Sequence, residues 1–252
     1  MKTLAHQTLI YDVDCPLCKV YTSGFISAKL LDKNGRKPFC QLTEHELQFV
    51  DKTRAANQIA LIDNQTQTAI YGIDSLLKIL GNAFPWIEKI GKQKWIYLGL
   101  QKLYSFVSYN RKVIAPMDIN QDLSKACLPD FNLKYRLMYL FLGSLFVSFS
   151  WQKAFVSTQL LQTNLGEVWA VFLGSLGLIS LVLFQNSTQR IFEILGNWMT
   201  ILVMGSLVLQ VFLGFQNPNA ILGKIGFVFS ALLMVWETLR RCKLLFPQLK
   251  KN

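Results

Sequence analysis

Hydrophobic residues are distributed in two different ways along this chain. Before residue 116, apolar residues occur in short runs or at steps of three and four, and polar turns separate them. After residue 134, they occur in long runs that are almost free of charge. Short runs are typical of strands and amphipathic helices, whereas runs of about twenty apolar residues are typical of membrane-spanning helices. We therefore predict a first domain at residues 1–116, a polar linker at 117–134 and a transmembrane helical domain at 135–247.

The first domain is predicted to alternate strands and helices around one sheet, in the order βαβαββα. Thr43 followed by Glu46 is the capping-box pattern that opens a helix. The polar residues 63–67 between two apolar runs predict a hairpin. The expected strands are residues 8–11, 38–42, 59–62 and 69–71, and the expected helices are residues 16–31, 43–54 and 74–80.

Residues 84–115 predict a further helical stretch, with breaks at Gly91 and Gly99. This stretch mixes tryptophans and tyrosines with lysines. Such a composition is found both in helices that lie in a membrane interface and in helices that cover a soluble core. Both interpretations stay open.

Four membrane-spanning helices are predicted in the second domain, which would then be an all-α transmembrane bundle. The fourth apolar run is short alone, but it reaches a spanning length with residues 219–223, since the stem of Lys224 can snorkel to the interface. We expect an anchor, because no charged residue lies at the centre of a predicted span. The four runs are residues 137–152, 168–189, 194–223 and 225–236.

Basic residues predict the orientation of these spans. On one side of the predicted membrane the flanks carry only Lys153 and Lys224. On the other side they carry Lys134, Arg136, Arg190, Arg240, Arg241, Lys243, Lys250 and Lys251. The positive-inside rule then places the N-terminal domain and the C-terminus of this multi-pass protein in the cytoplasm.

The composition favours a membrane over a nucleic acid as the partner. Hydrophobic residues make up 52% of the 252 residues and charged residues 16%, with a formal net charge of +11. The basic residues are not grouped with stacking aromatic residues on one face, as nucleic-acid binding requires. A lipid bilayer, whose cytoplasmic surface is anionic, is therefore the expected partner.

The cysteine content bears on the compartment of the first domain. The chain has five cysteines, an odd number, which argues against a fully paired extracellular disulfide framework. Residues 1–11 lack the apolar core of a secretory signal, so we expect the first domain in the cytosol. In that reducing compartment, a CxxC pair is more often catalytic or metal-binding than structural.

Such a pair lies at the turn between the first predicted strand and the first predicted helix. Cys15 is near the N-cap position, and Pro16 suits the first helical position, whose N–H has no partner. Because a helix N-terminus stabilises a thiolate, we expect Cys15 to be exposed and to attack, and Cys18 to be buried and to resolve the mixed disulfide. The carboxylates of Asp12 and Asp14 oppose this effect, since nearby negative charge raises a thiol pKa.

The run Tyr-Asp-Val-Asp-Cys-Pro-Leu-Cys at residues 11–18 resembles the signature of the DCC family, predicted thiol-disulfide oxidoreductases with a thioredoxin-like fold. The similarity continues at residues 71–80 and 103–111 and covers about the first half of the chain. One departure is Val13, where the family has glycine. The resemblance implies an α/β thioredoxin-like domain, and the predicted element order agrees with one.

The resemblance also implies a function. The whole chain would be a membrane-anchored thiol-disulfide oxidoreductase that uses Cys15 and Cys18 without a cofactor or a metal. Asp12, Asp14 and Pro16 would support the pair. The partners would be thiols and disulfides of proteins or small molecules.

A zinc-binding module without redox catalysis is the alternative. Cys40 and His45 have four residues between them, a usual spacing for a second ligand pair, so Cys15, Cys18, Cys40 and His45 could form a cage. Zinc pairs usually lie on tight knuckles, whereas this pair opens a long helix, and we therefore favour redox chemistry. In that case we expect Cys40 inside the core at the end of the second strand, and His45 in solvent.

Overall fold

Two units make up the computed structural model of the chain, Met1–Asn132 and Leu133–Asn252. Most of the predicted linker at 117–134 lies outside the residues that the structure describes, and so do Lys250 and Lys251. The described residues are 3–116, 130–159, 163–182, 186–214 and 220–245.

The first unit is built on a mixed sheet of four strands: β1 (Gln7–Tyr11), β2 (Arg36–Pro38), β3 (Ala60–Asp63) and β4 (Thr68–Tyr71). β1 is parallel to β2 and antiparallel to β3, so Leu9 lies opposite Arg36 on one side and Leu61 on the other. β3 and β4 form the predicted antiparallel hairpin. The strand order across the sheet is β2-β1-β3-β4.

Each face of this sheet carries a hydrophobic cluster, because successive residues of a strand point to opposite faces. Leu9 and Leu61 pack with Ile79 on one face. Ile10 and Ile62 pack with other buried residues on the opposite face. The central strand β1 is therefore buried on both sides, and the turn that follows it lies at the edge of the core.

Five α-helices accompany the sheet in the described part of the first unit. The predicted break at Gly91 is confirmed, since one helix ends at Gly91 and the next begins at Lys94. Gly99 does not interrupt its helix. The helices are α1 (Pro16–Ser27), α2 (Lys52–Asn57), α3 (Ile73–Ala83), α4 (Pro85–Gly91) and α5 (Lys94–Ile114).

The helix predicted at residues 43–54 is wrong in its extent. The capping box forms, since the N–H of Thr43 donates to the Glu46 carboxylate at 2.7 Å. Only a short 3-10 turn follows, Glu46–Gln48. The N–H of Asp51 donates to the hydroxyl of Tyr71 at 2.8 Å instead of to a carbonyl one turn back, and Asp51 then caps α2. A contact with β4 thus divides the predicted helix in two.

The described part of the second unit consists of helices. Two of its helices are long and apolar enough to cross a membrane, Thr188–Gly214 and Leu222–Leu244. A shorter apolar stretch, Leu165–Ser180, lies in a third helix. The helices are α6 (Leu133–Ser157), α7 (Leu165–Val182), α8 (Thr188–Gly214) and α9 (Ala220–Leu245).

Small residues allow α8 to approach its neighbours closely. Gly205 lies against Met234 of α9, and the hydroxyl of Ser230 donates to the carbonyl of Gly205 at 2.9 Å. On the other side, Gly143 of α6 lies against Met199. Close contacts of this kind hold apolar helices together when water provides no driving force between them.

Candidate functional site

The Cys15–Cys18 pair lies where the sequence places it, directly after β1 and at the start of α1. Cys15 is the N-cap residue, and Pro16 is the first helical residue. The N–H of Cys18 donates to the Cys15 sulfur at 3.5 Å. Upstream, the side chain of Asp12 accepts a hydrogen bond from the N–H of Asp14 at 3.0 Å, which closes the turn that leads into the helix.

Both sulfur-bearing side chains are buried. Cys15 is 0% exposed and Cys18 is 5% exposed. The prediction that Cys15 is exposed is therefore wrong. Its side chain caps the helix by accepting from the backbone of Cys18, and this contact turns the sulfur towards the helix start instead of towards solvent.

A buried ion pair accompanies the two thiols. The guanidinium of Arg111, in α5, lies 3.3 Å from the carboxylate of Asp12. The same guanidinium donates to the carbonyl of Ala56 at 3.0 Å. Burial raises the pKa of Asp12, although the positive charge of Arg111 acts in the opposite direction. The ion pair thus compensates only part of the unfavourable burial of this carboxylate.

The charges and hydrogen bonds around the pair give the two thiols different pKa values. A hydrogen bond from the Cys15 thiol lowers the pKa of Cys18 to about 7, and the charge of Arg111 and the hydroxyl of Tyr21 act in the same direction against burial. The hydrogen bond with Cys18, together with burial, raises the pKa of Cys15. Of the two thiols, Cys18 is therefore the one whose pKa is lowered, the reverse of the expected order.

An apolar cavity of about 370 Å³ adjoins Cys18. Its walls come from α1, α3 and α5, and Cys15 is not part of them. Of the two thiols, Cys18 is therefore the one that lines this cavity. The lining residues that bear on its chemistry are Cys18, Tyr21, Phe25, Leu103, Tyr104 and Arg111.

Two tyrosines complete the surroundings of Cys18. Burial is the main cause that raises the pKa of Tyr21, and it also raises the pKa of Tyr104 to about 12. Both hydroxyls are therefore protonated at neutral pH. The hydroxyl of Tyr104 also accepts a hydrogen bond from the N–H of Ile59 at 2.8 Å, which ties α5 to the chain just before β3.

Sequence reasoning missed Arg111 as a member of the site. Arg111 and Asp12 are 99 positions apart, so no local spacing connects them. The available signal was the third segment of the DCC resemblance, residues 103–111, which contains both Tyr104 and Arg111. Those two residues line the cavity beside Cys18.

The four residues of the zinc alternative are in different surroundings. Cys15 and Cys18 are buried, whereas Cys40 and His45 are exposed. The predicted burial of Cys40 is wrong, because β2 ends at Pro38 and Cys40 lies in a 3-10 turn, Phe39–Gln41. Among the residues that the structure describes, no group of three or more His, Cys, Asp or Glu side chains is placed to hold a metal ion. Zinc binding stays a prediction.

A second buried charge cluster lies in the other unit. The fourth predicted apolar run ends at residue 236, but α9 continues beyond it and buries Glu237 and Arg241. Arg241 donates to Glu237 at 2.7 Å and to the side-chain oxygen of Asn197, in α8, at 2.7 Å. Glu237 also accepts from Arg240. These hydrogen bonds tie α8 to α9 through charged side chains.

Comparison with known proteins gives no match. No protein-family model matches the chain, and neither the curated proteins nor the solved structures include a significant match to it. The similarity to the DCC family therefore rests on the three sequence segments at residues 11–18, 71–80 and 103–111.

Proposed function

We propose that the chain is a membrane-anchored thiol-disulfide oxidoreductase of the DCC type, with Cys15 and Cys18 as its redox-active dithiol. The observation that carries this proposal is the position of Cys18, which contacts an apolar cavity and has both Cys15 and Arg111 beside it. Positive charge and hydrogen-bond donors around a sulfur are the means by which proteins keep a thiolate at neutral pH. A thiolate is the nucleophile in thiol–disulfide exchange.

In the proposed reaction, Cys18 attacks and Cys15 resolves. The Cys18 thiolate forms a bond to one sulfur of a disulfide RS–SR′, and R′S⁻ leaves with the bonding electron pair. Cys15 then loses its proton and attacks the Cys18 sulfur, which releases RS⁻. The dithiol has given up two electrons and becomes the Cys15–Cys18 disulfide, while the substrate becomes two thiols after protonation. The roles are the reverse of those expected from sequence, because Cys18 and not Cys15 meets the cavity.

The topology of the first unit supports a thioredoxin-like fold. Its sheet has the order β2-β1-β3-β4, with β1 parallel to β2 and a hairpin that adds β3 and β4 antiparallel. The dithiol lies between β1 and α1, as the DCC resemblance implies. Residues from the first and third segments of that resemblance also line one cavity, among them Cys18, Tyr104 and Arg111.

The second unit supports membrane anchoring. Two observations support it: the length of α8 and α9, and the large apolar residues of α9 that are exposed in the part of the second unit that the structure describes. An apolar face of this kind is typical of contact with a partner or with lipid. We propose the lipid bilayer, with four spans and both termini in the cytoplasm, because the basic residues lie mostly at one end of these helices. The large apolar residues of α9 that are exposed are Ile225, Val228, Phe229, Leu232, Val235, Trp236 and Leu239.

A redox titration of the full-length protein in detergent tests the proposed function. The protein is equilibrated in mixtures of reduced and oxidised dithiothreitol, its free thiols are alkylated, and the products are identified by mass spectrometry. We expect a two-electron transition between two thiols and a Cys15–Cys18 disulfide, lost in Cys15→Ser and Cys18→Ser and retained in Cys40→Ser. Thiols at Cys15 and Cys18 that stay alkylatable throughout would contradict the proposal. Stoichiometric zinc that is lost on Cys40→Ser would favour the zinc-binding alternative.

The proposed topology has its own test. Cys40 is exposed in the first unit, so it reports the side of the membrane better than the buried Cys15 and Cys18 do. A membrane-impermeant thiol reagent should leave Cys40 and Cys242 unlabelled in intact cells and label Cys40 after permeabilisation. Labelling of Cys40 in intact cells would place the dithiol on the outer side.

A further inference from the structure

We infer that the disulfide which reaches Cys18 is a small, uncharged molecule with apolar arms, and not a disulfide of a folded protein or a charged one. This inference rests on the proposed function and specifies its substrate class. Three features of the site carry it: the burial of both sulfurs, the size of the cavity and the chemistry of its walls.

Burial limits which disulfides can react. Exchange requires the attacking sulfur to approach one substrate sulfur directly, and Cys18 is 5% exposed while Cys15 is 0% exposed. A disulfide on the convex surface of a folded protein does not reach sulfurs that are recessed in this way, whereas a small molecule can enter the adjoining cavity of about 370 Å³. That volume lies near the lower end of small-molecule sites, which are roughly 300–1,000 Å³.

Several polar groups of the cavity are already engaged by the protein. Arg111 pairs with Asp12 and donates to a backbone carbonyl. The hydroxyl of Ser108 donates to the carbonyl of Asn57, and the hydroxyl of Tyr104 accepts from the backbone. A charged or strongly polar substrate would lose its hydration between mostly apolar walls, which is unfavourable.

The remaining walls are aliphatic and aromatic. They bring together Leu17 and Phe25 of α1 with side chains from α3 and α5. Apolar arms on a disulfide would bury their surface against these walls and leave the sulfur atoms beside Cys18. Leu103 is 58% exposed, so it lies at the open side of the cavity and borders the entry path.

An isosteric pair of disulfides separates apolar character from size and sulfur reactivity. Dipropyl disulfide and bis(2-hydroxyethyl) disulfide differ by a methyl in place of a hydroxyl at each end. Second-order rate constants for oxidation of the reduced full-length protein are measured for both, and for glutathione disulfide and insulin, each normalised to its rate with dithiothreitol. We expect dipropyl disulfide to react about tenfold to a hundredfold faster than its hydroxylated counterpart, the range over which an apolar pocket rejects an added hydroxyl.

A matched pair of variants tests the entry path. Leu103→Trp narrows the opening, whereas Leu98→Trp changes another exposed leucine of α5, 41% exposed and outside the cavity. We expect Leu103→Trp to slow the reaction with dipropyl disulfide by about tenfold or more, an effect comparable to other misfits in apolar pockets. Leu98→Trp should leave the rate unchanged, and both variants should keep the redox potential of the Cys15–Cys18 couple.

The outcomes distinguish the two proposals. Equal normalised rates for the isosteric pair, or a preference for glutathione disulfide or insulin, would overturn the substrate class and leave the dithiol function in place. Equal slowing by Leu98→Trp would overturn the cavity as the entry path. Rates no higher than those of a Cys15→Ser, Cys18→Ser double variant with every disulfide would overturn the proposed function itself.

Discussion

Each unit of the protein buries an arginine against a carboxylate, and the two ion pairs are built differently. In the first unit, Arg111 of α5 meets Asp12, from the turn after β1, at 3.3 Å. In the second unit, Arg241 and Glu237 lie one turn apart on α9 and meet at 2.7 Å. The first pair joins distant parts of the chain, whereas the second is local to one helix.

The surroundings of the two pairs show what each can do. Glu237 is satisfied by two arginines, and Arg241 also binds Asn197, so this cluster is closed by its own hydrogen bonds. The charge of Arg111 acts on more than Asp12, because it also lowers the pKa of Cys18. A buried charge therefore holds helices together in one unit and tunes a thiol in the other. The pairs should respond differently to loss of one partner.

Loss of Glu237 is expected to have the largest effect on stability. Glu237→Gln leaves Arg241 buried without its counter-charge, and removal of one partner of a buried ion pair destabilises by about 3–5 kcal/mol. The control is Arg240→Gln, since the Arg240 side chain is 41% exposed. This control should reduce the free energy of unfolding by about 1 kcal/mol or less. Denaturant unfolding of both variants in the same detergent measures the difference, and equal losses would contradict a closed cluster.

Loss of Arg111 is expected to act mainly on the thiol. Arg111→Met should raise the pKa of Cys18 by about one to three units, the usual effect of one nearby opposite charge. Asp12→Asn removes a nearby negative charge and should lower the same pKa, while Arg111→Lys should keep most of the wild-type value. Because the Cys18 pKa is about 7 and thus below the ordinary 9.0, thiolate forms as the pH rises through 7.

The pH dependence of alkylation measures these shifts. In the wild type, the rate of Cys18 alkylation should rise with pH and level off above neutrality. In Arg111→Met, it should still be rising where the wild type has levelled off. Displacement of the profile in the same direction by Arg111→Met and Asp12→Asn would indicate general loosening of the site and contradict an electrostatic role.

Loss of a neutral hydrogen bond in the same site should reduce stability less than loss of Glu237 does. Tyr104→Phe removes the acceptor for the N–H of Ile59 and leaves that donor unsatisfied, which destabilises by about 1–3 kcal/mol. The comparison is Tyr97→Phe, whose hydroxyl donates to Asp74 at 2.9 Å nearer the surface. Thermal unfolding should show the larger loss for Tyr104→Phe. The opposite order would mean that water replaces the lost acceptor.

Loss of an exposed ion pair should have the smallest effect on stability. Lys92 and Glu88 lie one turn apart on the surface, with a nitrogen–oxygen distance of 2.5 Å. Lys92→Gln should change the free energy of unfolding by about 0.5 kcal/mol or less, because solvent screens exposed pairs. Denaturant unfolding at low and high salt checks this value. If Lys92→Gln lost as much free energy of unfolding as Glu237→Gln, burial would not explain why the two ion pairs differ in their contribution to stability.

The parts of the fold that local chemistry decides could be predicted from the sequence. Cys15 and Pro16 start α1 because the needs of a helix N-terminus are met within one turn. The hairpin of β3 and β4 follows from two apolar runs around a polar loop. The helix expected at residues 43–54 failed because its break depends on Tyr71, which is 20 positions from Asp51.

The candidate site was predictable only in its position. The spacing of Cys15 and Cys18 locates the pair, but the cavity beside Cys18 and the charge of Arg111 depend on α5, which the chain reaches much later. Local spacing does indicate a salt bridge between Glu237 and Arg241, because residues four apart face each other on a helix. The positive-inside pattern instead assigns Arg241 to a basic flank, and the burial of Arg241 depends on Asn197 of α8.

Trapping of the mixed disulfide tests most directly whether Cys18 is the attacking thiol of a redox-active pair. Cys15→Ser keeps a hydroxyl that can donate to Cys18 but cannot resolve an intermediate. Treatment of this variant with dipropyl disulfide should give a stable propylthio adduct on Cys18, identified by peptide mass spectrometry, and Cys18→Ser should give little adduct on Cys15. Faster adduct formation on Cys15 in Cys18→Ser, or adducts confined to Cys40 and Cys242, would contradict this assignment.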